Sequence, residues 1–108
     1  MKAVSLLPGL ILAFAAANAA ETFTGVITDT MCGPKPHTMM KGHTDAECVR
    51  MCVKGPHAYA LTDGVQVMKL SDQRTPAQYA AQKVRVTGAY DEKSKTIKVA
   101  SIEPLEAR

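Results

Sequence analysis

Residues 57–90 read HAYALTDGVQVMKLSDQRTPAQYAAQKVRVTGAY. The stretch begins with two apolar runs, 57–62 and 65–70, that lie on either side of Asp63-Gly64. An Asp-Gly pair between apolar runs is typical of a β-hairpin with a two-residue turn. We therefore expect two antiparallel strands joined by a tight turn at this dipeptide.

The second half of the same stretch predicts a short helix and then a strand. Thr75 is followed by a Pro at the first helical position and by a Gln three residues later, which is the pattern of a capping box. We expect this helix to reach about Gln82. Residues 83–90 alternate valine with polar side chains at first, as in a strand that buries one face.

Two further strands are predicted outside this stretch. Residues 22–30 are rich in Thr, Val and Ile, and Gly25 within them suggests a bulge or a kink. Residues 96–103 form the last expected strand, after a charged turn. Ile102 is out of phase with the apolar residues before it, which predicts a β-bulge near residues 100–101.

Five strands with a short helix between the third and the fourth give the element order of an OB-fold. We therefore predict a mainly β protein, a five-stranded OB-like Greek-key barrel in a single domain that spans residues 21–108. A five-stranded sandwich is the alternative, because one sequence does not reveal the order of strands within a sheet.

The connection between the first two strands is unusually long, at about 26 residues, and such loops are uncommon unless they are functional or contain structure. Thr44 and Glu47 match a capping box, and Gly55 followed by Pro is a stop signal. These signals predict a helix over residues 45–54 within the loop.

The same loop holds most of the metal-binding chemistry of the chain. All three cysteines, all three histidines and four of the six methionines lie between residues 31 and 57. They are Met31, Cys32, His37, Met39, Met40, His43, Cys48, Met51, Cys52 and His57. Thiolate, thioether and imidazole together suit Cu(I), and Cys with His alone suits zinc.

The predicted ligand set for copper or zinc is Cys32 from the end of the first strand together with Cys48 and Cys52 from one face of the loop helix. His43 or His37 would be the fourth ligand. Met51 would add a thioether for copper, as would the methionines at 39 and 40. Asp29 and Asp45 each have two possible roles. Their carboxylates could orient the histidines, or Asp29 could be an ordinary turn residue and Asp45 an ordinary residue of a helix start.

A structural disulfide is the competing hypothesis for the cysteines. Side chains four apart on a helix have Cβ atoms about 5–6 Å apart, too far for a disulfide, so Cys48 and Cys52 should not pair with each other. Either could pair with Cys32, which leaves one thiol over. The corresponding function is a disulfide-stabilised binding module for a protein or glycan on the barrel face near Tyr59 and Tyr90.

Residues 1–20 have the pattern of a cleaved signal peptide. A basic start is followed by a mostly apolar run and by Ala17-Asn18-Ala19, the small-x-small pattern of a cleavage site. We expect a mature chain that begins at Ala20 or Glu21, in the periplasm or secreted, with no stable membrane anchor. An uncleaved anchor is the alternative, although this run is shorter than the ~20 apolar residues that span a bilayer.

Charge and motifs exclude several functions. The chain has a formal net charge of +3, and its basic residues are spread along its length. It also has no Trp, so we do not expect a nucleic-acid-binding surface. The chain also lacks the Cys-x-x-Cys, Cys-x-x-Cys-His, Gly-rich phosphate-loop and Gly-x-Ser-x-Gly motifs. The expected protein is a metal carrier, sensor or metal-stabilised module and not an enzyme, with a metal ion or another protein as its partner.

Four segments also resemble a known group of proteins. They are GVITDTMCG at 25–33, CVRMCVKG at 48–55, YAL at 59–61 and VRVTG at 84–88. Together they are similar to a group of small exported bacterial proteins with an OB-like barrel and no established function. The most specific part is Asp-x-x-Cys followed by Cys-x-x-x-Cys. The resemblance implies export, the barrel and the three cysteines as a set, and it implies no activity.

Overall fold

The computed structural model describes residues 20–35 and 42–105. His37, the methionines at 39 and 40, and the predicted signal segment up to residue 19 lie outside the described residues. Within the described part, five strands, one α-helix and one 3-10 helix follow one another. They are β1 (Glu21–Asp29), α1 (Asp45–Val53), β2 (Tyr59–Thr62), β3 (Val67–Leu70), the 3-10 helix (Thr75–Tyr79), β4 (Lys83–Asp91) and β5 (Thr96–Pro104).

The strands pair in the order β1-β2-β3-β5-β4, and β4 returns to β1, so that the sheet closes on itself as a barrel. All neighbours are antiparallel except β3 and β5, which pair in parallel through Lys69 with Thr96 and Leu70 with Ile97. The mainly β class, the five strands and the helical turn between the third and fourth strands are confirmed.

β1 changes partners along its length. Its residues 21–26 pair with β4, and its residues 26–29 pair with β2. Gly25 lies just before this change, and a Cβ there would overlap the backbone carbonyl oxygen of Thr62. Glycine at this position therefore permits the close approach of β1 to β2. The registers of β1 with β4 and with β2 contain no shift at Gly25, so the glycine serves this approach and not a bulge.

The last strand contains the predicted bulge. Val99 pairs with Gly88 and Ser101 pairs with Thr87, so Ala100 is an extra residue on β5. The inserted residue returns Ile102 to the same face as the apolar residues before it.

The hairpin between β2 and β3 is present, but its two-residue turn was predicted wrongly. Thr62 pairs with Val67, so four residues, 63–66, form the connection. The Asp63 carboxylate accepts hydrogen bonds from the N–H groups of Val65 and Gln66, at 2.9 and 2.8 Å. These bonds remove Val65 from the strand and leave it 81% exposed.

The short helix was also predicted with the wrong cap and the wrong end. Asp72, and not Thr75, accepts at its start, from the N–H groups of Arg74 and Thr75 at 2.9 and 3.0 Å. It ends at Tyr79 because Ala81, at φ 65°, donates its N–H to the carbonyl of Ile27 at 2.9 Å. The chain is thereby drawn against β1 before a second helical turn can form.

The core lies inside the barrel and extends to the helix. Its fully buried apolar side chains come from every strand and from α1: Ile27, Val49, Leu61, Leu70, Val84, Val86 and Ile97. Val49 is the contribution of α1, so burial of this side chain fixes the helix against the barrel. In the described part of the chain no helix is both long enough and apolar enough to cross a bilayer.

Candidate metal centre

Asp29 ends β1 and organises the turn that follows. Its side chain is fully buried, and its Oδ1 accepts hydrogen bonds from the N–H groups of Met31 and Cys32, both at 2.8 Å. An Asp that accepts from the N–H groups two and three residues later is a common way to make a tight turn. The carboxylate therefore fixes the backbone on which Cys32 lies.

Two buried threonines hold the far side of this turn. The Thr28 hydroxyl donates to the carbonyl of Gly33 at 3.0 Å, and the Thr62 hydroxyl donates to the carbonyl of Pro34 at 3.0 Å. Because these hydroxyls belong to β1 and β2, the turn is bonded directly to the barrel wall. Gly33 itself has φ 72°, in the left-handed region that glycine adopts most readily.

α1 supplies the second cysteine of the site. The Thr44 hydroxyl accepts from the Glu47 N–H, and the Glu47 carboxylate accepts from the Thr44 N–H, so the predicted capping box is confirmed. The helix ends at Val53, one residue before its predicted end. The Arg50 side chain donates to the carbonyl of Ala77 at 2.9 Å and so ties α1 to the 3-10 helix.

These elements bring one carboxylate and two thiols together. A carboxylate oxygen of Asp29 and the Sγ atoms of Cys32 and Cys52 all lie within 4.8 Å of one another. Asp29 is buried, and within residues 20–35 and 42–105 its Oδ2 has no hydrogen-bond partner. The Sδ of Met31 lies 4.0 Å from the Sγ of Cys52. Carboxylate and thiolate are both ligands that proteins use to hold metal ions, and this group can hold one.

The electrostatics of the group favour a cation. Burial raises the pKa of the Cys52 thiol, and the negative charges of Asp29 and Cys48 raise it further, against a hydrogen bond with Cys32. Burial also raises the pKa of Tyr59, with Arg50 opposing and the charge of Asp29 adding to the rise. A positive ion between the ligands would relieve this repulsion, whereas a reactive thiol needs a lowered pKa.

The predicted site residues are distributed as follows. Cys32 and Cys52 lie in the group. Cys48 lies one helical turn before Cys52 and is buried, but it does not belong to the group. The ring of His43 lies beside Glu47, with Nδ1 3.5 Å from Oε1, and Met51 is 42% exposed on the helix surface. The fourth predicted ligand position at His37 is outside the described residues.

Sequence reasoning underestimated Asp29, which it treated as an outer carboxylate or a turn residue. Asp29 is in fact both the organiser of the turn and a member of the group. The only signal for this was its place at a strand end, three residues before Cys32. The cysteines, all of them within the described residues, form no disulfide in this structure. The disulfide hypothesis expects a protein or glycan to bind near Tyr59, and the Tyr59 side chain is only 5% exposed.

Tyr59 lies next to Asp29 across the β1–β2 ladder, and a side chain fixes it there. Gln73 accepts from the Tyr59 N–H at 2.8 Å and donates to the Tyr59 carbonyl at 3.0 Å. It also donates to the Leu70 carbonyl at 2.8 Å. The pairing of β2 with β3 ends at Ala60 with Lys69, so the Gln73 amide continues this ladder by one residue beside the candidate site.

Comparisons of the chain with protein-family models, with curated proteins and with solved structures returned no match.

Proposed function

We propose that this protein is an exported binder of a soft metal ion, copper or zinc, and that it acts as a carrier, a sensor or a metal-stabilised module. Cys32, Cys52 and Asp29 are the ligands. One observation supports the proposal above all others: a buried carboxylate oxygen of Asp29 has no hydrogen-bond partner in the part of the chain that the structure describes, and an oxygen of this carboxylate and two thiol sulfurs lie within 4.8 Å of one another.

The physical argument starts from the isolated carboxylate. A buried polar group without a partner costs about 1–3 kcal/mol, and a charged one costs more. A metal ion bonded to Asp29 would offset this cost and would also take up the charge of the two thiolates. Ligand atoms of a tetrahedral zinc site lie about 3.3–3.8 Å apart, given bonds of about 2.0–2.3 Å. The ligand atoms of the group therefore need only a small adjustment to bind an ion.

The position of the group in the fold supports a binding role. The strand order and the parallel β3–β5 pair support an OB-type Greek-key barrel. In such barrels the loop between the first two strands borders the binding face, and this is the loop that contains Cys32 and Cys52. Export rests on the signal-like pattern of residues 1–20.

A disulfide-stabilised module is the second candidate, and the proximity of the Cys32 and Cys52 sulfurs favours it. Joining them would leave Cys48 as the thiol that remains. The burial of Tyr59 counts against a ligand surface at that residue.

The test is a titration of the fully reduced chain, freed of metal, with Zn(II) and with Cu(I) against competing chelators. We expect one ion per chain. Cys32→Ser and Cys52→Ser should each weaken binding at least about 100-fold, because a lost thiolate opens the coordination shell. Cys48→Ala is the matched control, since this cysteine is outside the group and acts on Cys52 only through its charge, and it should change the affinity far less than either serine variant.

Two results would contradict the proposal. The first is the absence of stoichiometric binding of either ion by the reduced wild-type chain. The second is a Cys32–Cys52 disulfide, found by mass spectrometry in protein isolated from its native compartment, together with a loss of thermal stability on reduction that neither ion restores. The second result would establish the disulfide-stabilised module.

A further inference from the structure

Met31 has an unusual position for a methionine. It is 54% exposed, yet its Sδ lies 4.0 Å from the Sγ of Cys52 and its N–H donates to Asp29 at 2.8 Å. A methionine normally buries its sulfur in the apolar core. Here the turn that presents Cys32 also presents a thioether to the second cysteine of the group, in a backbone held by the carboxylate.

We propose that Met31 takes the place of Asp29 as the third ligand when the bound ion is Cu(I), and that Asp29 is the third ligand when it is zinc. The two thiolates of Cys32 and Cys52 would serve both ions. This inference rests on the metal site proposed above and assigns the residues that decide which ion it prefers. Met31 would set the affinity for Cu(I), and Asp29 would set the affinity for Zn(II).

The chemistry of the two side chains separates the ions. A thioether is a soft, neutral sulfur ligand, which suits Cu(I) and adds little to zinc. A carboxylate is a hard anionic ligand, which zinc accepts in protein sites and Cu(I) does not favour. Both donors lie close to the Cys52 thiol: the Met31 sulfur is 4.0 Å from it, and a carboxylate oxygen of Asp29 is within 4.8 Å of it and of the Cys32 sulfur.

Met51 provides the matched control. It precedes Cys52 directly on α1, and successive side chains of a helix point about 100° apart, so its thioether is directed away from the Cys52 side chain. It is exposed to a similar extent as Met31, at 42%. A Met→Leu substitution at either position keeps the apolar volume and removes only the sulfur.

The experiment measures Cu(I) and Zn(II) affinities of the reduced chain for the wild type, Met31→Leu, Met51→Leu and Asp29→Asn. We expect Met31→Leu to weaken Cu(I) binding about tenfold or more and to leave Zn(II) binding unchanged. Met51→Leu should alter neither affinity. Asp29→Asn should weaken Zn(II) binding more than Cu(I) binding. X-ray absorption of the copper-loaded chain should show one sulfur neighbour fewer in Met31→Leu than in the wild type.

The outcomes separate this inference from the proposed function. If the wild type binds both ions and Met31→Leu changes neither affinity, or changes both equally, the assignment of Met31 is overturned and the metal site stands. If the wild type binds neither ion, both are overturned. Because Met31 is exposed, its substitution should leave the melting temperature of the metal-free chain unaltered, which excludes a change in folding as the cause.

Discussion

Replacing Asp29 with asparagine should stabilise the metal-free protein while it weakens metal binding. An asparagine retains Oδ1, which accepts from the N–H groups of Met31 and Cys32, so the turn is preserved. The substitution removes the negative charge and puts an uncharged amide nitrogen in place of Oδ2, the buried oxygen for which the described residues offer no hydrogen-bond partner. It also removes one of the charges that raise the pKa of Cys52.

The magnitude follows from the burial of that oxygen. An unsatisfied buried polar group costs about 1–3 kcal/mol and a charged one costs more, so exchanging the carboxylate for a neutral amide should raise the free energy of unfolding of the metal-free chain by the difference, on the order of 1 kcal/mol. For a domain of this size each 1 kcal/mol corresponds to roughly 4–8 °C in Tm. Guanidinium denaturation at neutral pH, with a chelator and a reductant present, measures the difference.

Asp63→Asn is the matched control for this experiment. Asp63 also accepts two backbone N–H groups through one oxygen, but it is exposed, so its second oxygen is solvated and its substitution carries no such gain. With excess Zn(II) the wild type should become more stable than Asp29→Asn, because an ion that binds the folded wild type more tightly raises its stability by mass action. A metal-free Asp29→Asn chain that is less stable than the wild type would refute the reasoning, since Oδ2 would then have a favourable partner within the fold.

Three further predictions concern the framework of the site. Gly25→Ala should destabilise the fold by about 1–3 kcal/mol or more in denaturant titration, because the added methyl overlaps the Thr62 carbonyl, whereas at Gly55 the nearest atom to an added Cβ is 3.6 Å away and alanine should be tolerated. Thr44→Ala should cost about 0.5–2 kcal/mol through the lost cap of α1, and serine at the same position should restore most of it. Hydrogen bonds, chiefly from the Thr75 hydroxyl, lower the pKa of Asp72, so its contribution to stability is complete above the unfolded-state pKa of about 3.9 and disappears as pH falls through the lower folded-state value. Asp72→Asn should therefore flatten the acid limb of stability measured against pH, and an unchanged limb would contradict the assignment.

The sequence was most informative where structure depends on local signals. The alternation of residues 83–90, the phase change at Ile102 and the capping box at Thr44 depend on neighbours a few residues away, and each gave the element found. The predicted length of the hairpin loop was wrong because the Asp63 side chain, and not the dipeptide backbone alone, determined the turn. The predicted end of the 3-10 helix was wrong because this end is set by a contact with β1, which is distant in the sequence.

The candidate site was predicted in part for the same reason. The concentration of sulfur and imidazole ligands in the loop was visible in its composition, and the spacing of Cys48 and Cys52 placed both on one helix. Which of them faces Cys32 depends on how α1 lies on the barrel, and this is decided by the burial of Val49. The role of Asp29 depends on its complete burial, which is a tertiary property that a strand-end position does not reveal.

The two threonine hydroxyls that hold the carbonyls of residues 33 and 34 have a kinetic consequence. Because the Cys32 turn is bonded to the barrel wall without any ion, folding of the barrel already supplies the conformational entropy that ordering the turn requires. An incoming ion therefore meets a thiol in place and does not wait for a loop to close. Capture should be a single-exponential process whose rate rises in proportion to ion concentration. Thr28→Val, which removes one of the two hydroxyls, should introduce a slower step that no longer depends on that concentration.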